Sequence, residues 1–164
     1  MTCEEYLQAC KEYDSKRAEI EKYNAQLIDK YPFLYPRDRY TDEPIQDYDY
    51  SFTEMDAMPV GWRLAFGDDL LNELNEELLE NDYVDDYRIV DIKEKWGGLR
   101  WYDNWYSERW NDDILSKYEK MSEKTCIVCG KPATHITKGY IMPVCEDCMK
   151  KDEYLSNATP IEEF

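Results

Sequence analysis

The chain has 164 residues, 43% of them hydrophobic, which is enough for one domain with a true core or a compact domain plus a small module, and too apolar for a disordered tail. Its 37 Asp and Glu against 20 Lys and Arg give a net charge of −17, and 31 of those acids fall in residues 1–125 with 16 bases. Such a balance argues against direct nucleic-acid binding through the N-terminal part, because binding phosphates requires basic groups; it suits a basic partner, or solubility alone.

Residues 3–30 read as one long helix, with Tyr6, Tyr13, Ile20 and Leu27 recurring every seven residues. A second series, Cys3, Cys10, Arg17, Asn24 and Tyr31, completes a heptad seam with polar interruptions at Arg17 and Asn24. The seam is expected to pack on the protein's own core, with a homodimer through this helix as the alternative. Residues 31–60 contain Pro32, Pro36, Pro44 and Pro59 and alternate Asp with Tyr through Asp47-Tyr48-Asp49-Tyr50, which predicts an extended surface segment. It reads either as an acidic contact surface or as a strap whose rings pad the core.

Residues 60–81 read as a second helix, with Trp62, Phe66, Leu70, Leu74 and Leu78 spaced by four and Leu71 alongside. Asp68, Asp69, Glu73, Glu76, Glu77 and Glu80 are assigned to its outer faces. Residues 86–103 read as a β-hairpin turning at Gly97-Gly98, and 108–123 as a third helix with Trp110, Ile114, Tyr118 and Met121 on one face. The crowd of Trp96, Trp101, Trp105 and Trp110 beside Lys93, Lys95 and Arg100 could stack nucleobases, but a hydrophobic core is the expected use.

The strongest motif is Cys126-x-x-Cys129, fifteen residues, then Cys145-x-x-Cys148. Four thiolates at this spacing close a tetrahedral shell around zinc, and a shell of four thiolates leaves no open position for catalysis. The expected cofactor is therefore one structural Zn2+. Short strands at 133–136 and 139–144 between the pairs, and a helix after Cys145, give a treble clef; without that helix the module would be a zinc ribbon. The paired cysteines also point to a reducing compartment, taken as a cytoplasm. No apolar run reaches the roughly 20 residues of a membrane span, and Met1-Thr2-Cys3-Glu4-Glu5 lacks a secretory pattern.

The predicted fold class is α+β: a long N-terminal helix, an amphipathic helix, a hairpin and a third helix over 1–123, a zinc module at 124–155, and a flexible tail at 156–164. The single histidine, His135, leaves acid–base triads and His-rich nuclease chemistry without their residues. Asp91 and Lys93 share a strand face and, with Asp82, Asp85 and Asp86 upstream, match the acid–acid-x-Lys pattern of a Mg2+ nuclease. That pattern is common in so acidic a chain.

The segment Asp91-Ile-Lys-Glu-Lys-Trp-Gly-Gly-Leu-Arg-Trp-Tyr-Asp103, the run Thr125-Cys-Ile-Val-Cys-Gly-Lys-Pro-Ala-Thr134 and Met58-Pro59-Val60-Gly61-Trp62 resemble small uncharacterised phage and prophage proteins that end in a four-cysteine zinc module. The resemblance covers roughly residues 58–150 and implies a phage context without any catalytic residue. The resulting expectation is a non-enzymatic protein whose acidic face (Asp47, Asp49, Asp68, Asp69, Glu73, Glu76, Glu77 and Glu80) binds a basic host protein. In its sharpest form the partner is a CRISPR effector or another defence nuclease, inhibited as by an anti-CRISPR. The alternative is a nucleic-acid-binding regulator acting through Lys131, Lys138, Lys150 and Lys151 of the zinc module.

Overall fold

The computed structural model describes residues 1–163. The N-terminal segment is not one helix. Helix α1 (Cys3–Lys11) opens on a Thr2 capping box, in which the Thr2 hydroxyl accepts from the Glu5 N–H and the Glu5 carboxylate accepts from the Thr2 N–H. Glu12 then leaves helical geometry (φ −115°, ψ 35°), and α2 (Tyr13–Lys30) runs back along α1. The rings of Tyr6 and Tyr23 stack at 4.3 Å, whereas a straight helix would hold them about 25 Å apart.

The fold-back buries Tyr6, Ala9 and Ile20 within the chain, so the continuous seam expected for a coiled-coil homodimer does not exist. Tyr6 also donates to Asp56 at 3.0 Å, and the Arg63 guanidinium lies 4.8 Å above its ring. Of the polar interruptions, Arg17 is exposed and pairs with Glu21, while buried Asn24 donates to the Tyr50 carbonyl at 2.8 Å.

Residues 31–60 form a strap over the body. Tyr48 is its hub, with its ring centroid 5.2 Å from Tyr35, 4.8 Å from Tyr50 and 5.6 Å from Phe52. Tyr35, Tyr48 and Tyr50 are half-buried against the main core, which is the padding role. A second capping box, Thr53 with Asp56, ends the strap in a short 3-10 turn at Glu54–Ala57.

Helix α3 covers 60–80. It starts as an α-turn (Val60–Trp62), widens to a π segment (Arg63–Gly67) and becomes regular at Asp68–Glu80. Trp62, Phe66, Leu70, Leu71, Leu74 and Leu78 are all buried, as their spacing predicts. Strands β1 (Ile89–Lys95) and β2 (Gly98–Asp103) pair antiparallel, with Ile92 opposite Trp101 and Glu94 opposite Leu99.

Helix α4 covers 109–122, again with a π segment (Arg109–Leu115) before a regular end (Ser116–Ser122). Trp110, Ile114 and Tyr118 enter the core, but Met121 is exposed. Ser122 takes the buried place, because its hydroxyl accepts the Leu99 N–H at 2.7 Å. The clustered tryptophans are mostly core. The Tyr87 hydroxyl accepts the Trp101 indole N–H at 2.8 Å and donates to Asp103 at 2.7 Å. Asp103 also accepts the Trp110 indole N–H at 2.8 Å, and burial raises its pKa.

The C-terminal part holds a three-stranded antiparallel sheet in the order β4-β3-β5, built from β3 (His135–Thr137), β4 (Pro143–Val144) and β5 (Ala158–Pro160), with helix α5 (Glu146–Lys151) between β4 and β5. The tail expected to be flexible therefore supplies an edge strand, registering Ile136 with Thr159. The strands expected at 133–136 and 139–144 are shorter, because Gly139 (φ +84°) and the Thr137 hydroxyl, which accepts the Met142 N–H, make a turn there. Phe164 lies outside the described residues.

The body and this part meet backbone to backbone. The Gly61 N–H donates to the Ile127 carbonyl at 2.9 Å, and the Trp62 indole donates to the Thr125 carbonyl at 3.0 Å. A Cβ at Gly61 would lie 2.1 Å from the Cys126 carbonyl oxygen and 2.6 Å from the Ile127 carbonyl carbon, both rigid. Gly61→Ala is expected to cost about 3 kcal/mol, the upper end for overpacking. Urea unfolding of the metal-loaded variant beside the native chain measures it; an unchanged midpoint would mean that this contact is not tight.

Candidate metal centre

The first cysteine pair sits on a knuckle closed by its own backbone. The Cys126 N–H donates to the Lys131 carbonyl at 2.7 Å and the Gly130 N–H to the Cys126 carbonyl at 2.9 Å. Gly130 has φ +80°, which a residue with a Cβ adopts at a cost. A Cβ there would also stand 2.6 Å from the Gly61 carbonyl oxygen. The second pair opens a helix: Cys145 is extended (φ −86°, ψ 161°) at the N-cap of α5, and Cys148 lies in its first turn. The Ile127 N–H bonds the Pro143 carbonyl at 2.9 Å, which carries the first knuckle to the strand that ends at Cys145.

The four sulfurs converge, all within 4.8 Å of one another, with Cys129 and Cys145 at 3.6 Å. A tetrahedral site with metal–sulfur bonds of about 2.3 Å has edges of about 3.8 Å. The set can hold one metal ion. Cys126, Cys145 and Cys148 are buried and Cys129 is half-buried, and Val144 and Leu155 pack around them.

Electrostatics within the set are uneven. Burial raises the Cys145 thiol, but the Cys148 N–H and the neighbouring thiols more than offset this and bring it down to about 7. Burial and the same neighbours push Cys148 well above the ordinary thiol range, and burial raises Cys129. A metal must therefore displace protons from Cys129 and Cys148.

Among the described residues, no other group of His, Cys, Asp and Glu gathers three or more ligand atoms at this range. Asp91 and Lys93 pair with each other at 2.6 Å on the outer hairpin face, away from any such cluster. His135 bonds the neighbouring Thr134 hydroxyl at 2.8 Å.

The acidic residues divide. Asp68, Asp69, Glu76 and Glu80 are exposed on α3, as expected. Glu77 is not on that face: it is 4% exposed and accepts from the Ser107 hydroxyl at 2.9 Å. It lies seven residues after Leu70 and three after Leu74, so its spacing already belonged to the buried stripe. Glu73 is engaged by Lys117 at 2.5 Å and by the Tyr118 hydroxyl at 2.5 Å. Asp47 and Asp49 are exposed on the strap, where Asp49 pairs with Arg17 at 3.4 Å, and no ion pair links them to α3. Of the module's lysines, Lys131 pairs with Asp147 at 3.5 Å and Lys150 with Glu146 at 2.5 Å, while Lys138 and Lys151 are exposed.

No protein-family model, curated protein or solved structure matches this chain significantly. Among the described residues, no helix is long and apolar enough to cross a membrane.

Co2+ added to the reduced, metal-free chain is expected to give the absorption of one tetrahedral tetrathiolate site, lost on Cys126→Ser. Because the raised thiols of Cys129 and Cys148 must give up protons at neutral pH, affinity should fall at least about tenfold for each pH unit below about 8, one decade per proton displaced. A pH-independent titration, or more than one equivalent bound, would count against a four-thiolate site.

Proposed function

We propose that this chain is a zinc-stapled, non-enzymatic interaction protein whose acidic helix α3 docks on a basic surface of a protein partner. The observation that carries the reading is one of charge. From Leu64 to Tyr87 there are nine acids and no Lys or Arg, and four of those acids, Asp68, Asp69, Glu76 and Glu80, stand exposed on a buried, rigid helix. Over Asp68 to Glu80 the helix rises about 18 Å, a length in which one nucleic-acid strand presents about five phosphates. A surface built to receive phosphates can receive this helix instead, and complementary fields would speed the encounter. In a phage setting the partner is a host nucleic-acid-handling nuclease, a CRISPR effector being the sharpest case.

The metal's part is to fold the chain. Zinc fits four thiolates in a closed tetrahedron, which favours a structural over a catalytic ion. A knuckle, a short hairpin and a helix opening on the second cysteine pair support a treble clef over a ribbon. Metal loss would unmake the knuckle against which Gly61 packs, and with it the start of α3.

Charge reversal at Asp68, Asp69 and Glu76 together, leaving Glu80 on Arg109, is expected to abolish salt-sensitive capture of a host protein by the immobilised chain, while zinc content and unfolding midpoint stay unchanged. Among the described residues these three carboxylates take part in no ion pair, so loss of capture can be assigned to the surface. Retention of every captured protein by the reversed variant would refute the reading.

A further inference from the structure

One surface of the acidic chain sets exposed aromatic rings beside lysines, with Asp91 and Glu94 among them. The outer face of the β1–β2 hairpin shows Lys93, Lys95 and Tyr102 to solvent. Trp96 stands at its tip, 72% exposed, while the other four tryptophans are buried or half-buried. The two residues at the turn's centre are Trp96 (φ +56°) and Gly97 (φ +78°), not the Gly97-Gly98 pair that the sequence suggests. The left-handed region favours Gly, Asn or Asp, so a tryptophan there costs conformational energy and gains no burial in return.

The β3–β4 loop lies beside this tip. The Tyr140 hydroxyl donates to Glu94 at 2.6 Å, holding a ring that is 59% exposed, and an Ile141 methyl would be 3.0 Å from a Cβ at Gly97. Lys138 precedes Tyr140 by two residues, and residues 124–145 contain no Asp or Glu. Among the described residues, neither Lys95 nor Lys138 has a carboxylate within 4.0 Å; Lys93 shares its charge with Asp91 in an exposed pair that a phosphate can replace.

We propose that this hairpin tip and loop bind a short single-stranded nucleic acid, with bases stacked on Trp96 and Tyr140 and phosphates held by Lys93, Lys95 and Lys138. Exposed aromatic faces interleaved with lysines match the stacking and backbone contacts of single strands. An acidic protein segment would use the lysines but gives no reason for a strained, flat, solvent-facing indole. A duplex hides its base faces and would bring more phosphates against a −17 chain than three lysines offset. This surface is separate from α3, and the proposal does not rest on the reading above.

The test is fluorescence anisotropy of a labelled ten-residue oligothymidylate with the full, zinc-loaded chain at low salt. Saturable binding with quenched tryptophan emission is expected. Trp96→Gly should weaken it at least about fivefold, the low end for losing one stacked base. That variant should keep or raise the unfolding midpoint, since glycine suits the turn. Lys95→Gln with Lys138→Gln should also weaken binding, and should flatten the log affinity–log salt slope by about 1.4, at about 0.7 per phosphate contact. No saturable binding, or binding that survives both variants, would overturn the proposal. So would equal affinity for a duplex, or displacement by an oligoglutamate peptide at comparable concentration, which would assign the surface to acidic protein.

Discussion

The rest of the structure depends on one close approach, the first turn of α3 lying against the knuckle of the first cysteine pair. A Cβ at Gly61 would meet the Cys126 and Ile127 backbone, and one at Gly130 would meet the Gly61 carbonyl, all at distances where a Cβ has no room. The approach lets the Gly61 N–H reach Ile127 and the Trp62 indole reach Thr125. Trp62 is wholly buried, so its N–H must find a partner inside the protein, and the partner it finds belongs to the segment entering the metal site. The metal site and the helical core are thus one structural problem. A knuckle without its metal would present four thiols, two raised by burial, to the end of the main helix.

A second tie fixes the N-terminal helical hairpin. Arg63, in the π segment of α3, is 3% exposed and bonds Asp56 at 2.7 Å while lying over Tyr6. A buried guanidinium is costly unless paired, and replacing either partner leaves the other charge stranded. The wide π turn has a visible consequence here. It comes between Trp62 and the regular helix, and Arg63 is drawn into the body where α1 and the strap converge on it. Tyr6 then serves as both lid and hydrogen-bond donor, which explains why α1 folds back instead of continuing.

The legible parts of the sequence were those in which local spacing and chemistry point the same way. Four cysteines in two tight pairs and leucines every fourth residue in 60–81 need no knowledge of distant contacts. The N-terminal heptad was real but ambiguous. Its one-residue break at Glu12 barely shifts the phase, so periodicity reports that Tyr6 and Ile20 are covered without saying by what. Glu77 was hidden by composition, since its carboxylate is matched by Ser107 and Arg109, thirty or more residues away in sequence. The hairpin turn was misplaced because a Gly-Gly pair is a strong local signal. A turn centred on Gly97-Gly98 would set Ile92 opposite Asp103. The observed register sets it opposite Trp101 instead, and that apolar pair prevails over the preference of Trp96 for an ordinary backbone.

The distribution of charge follows from the same packing. Residues 64–87 present carboxylates alone, whereas residues 124–145 present none. With a divalent metal, four thiolates leave a net charge of about −2 inside the module, and the two carboxylates between the second cysteine pair, Glu146 and Asp147, are matched by Lys150 and Lys131. The hairpin tip touches the β3–β4 loop and has Lys93 and Lys95 on its outer face. Helix α3 has no such centre to balance, and its acids face solvent unopposed except where Arg109 and Lys117 cross from α4 to Glu80 and Glu73. A single small fold thus presents two unlike surfaces, one a helical face of carboxylates, the other a strained turn with an open aromatic face and lysines beside it.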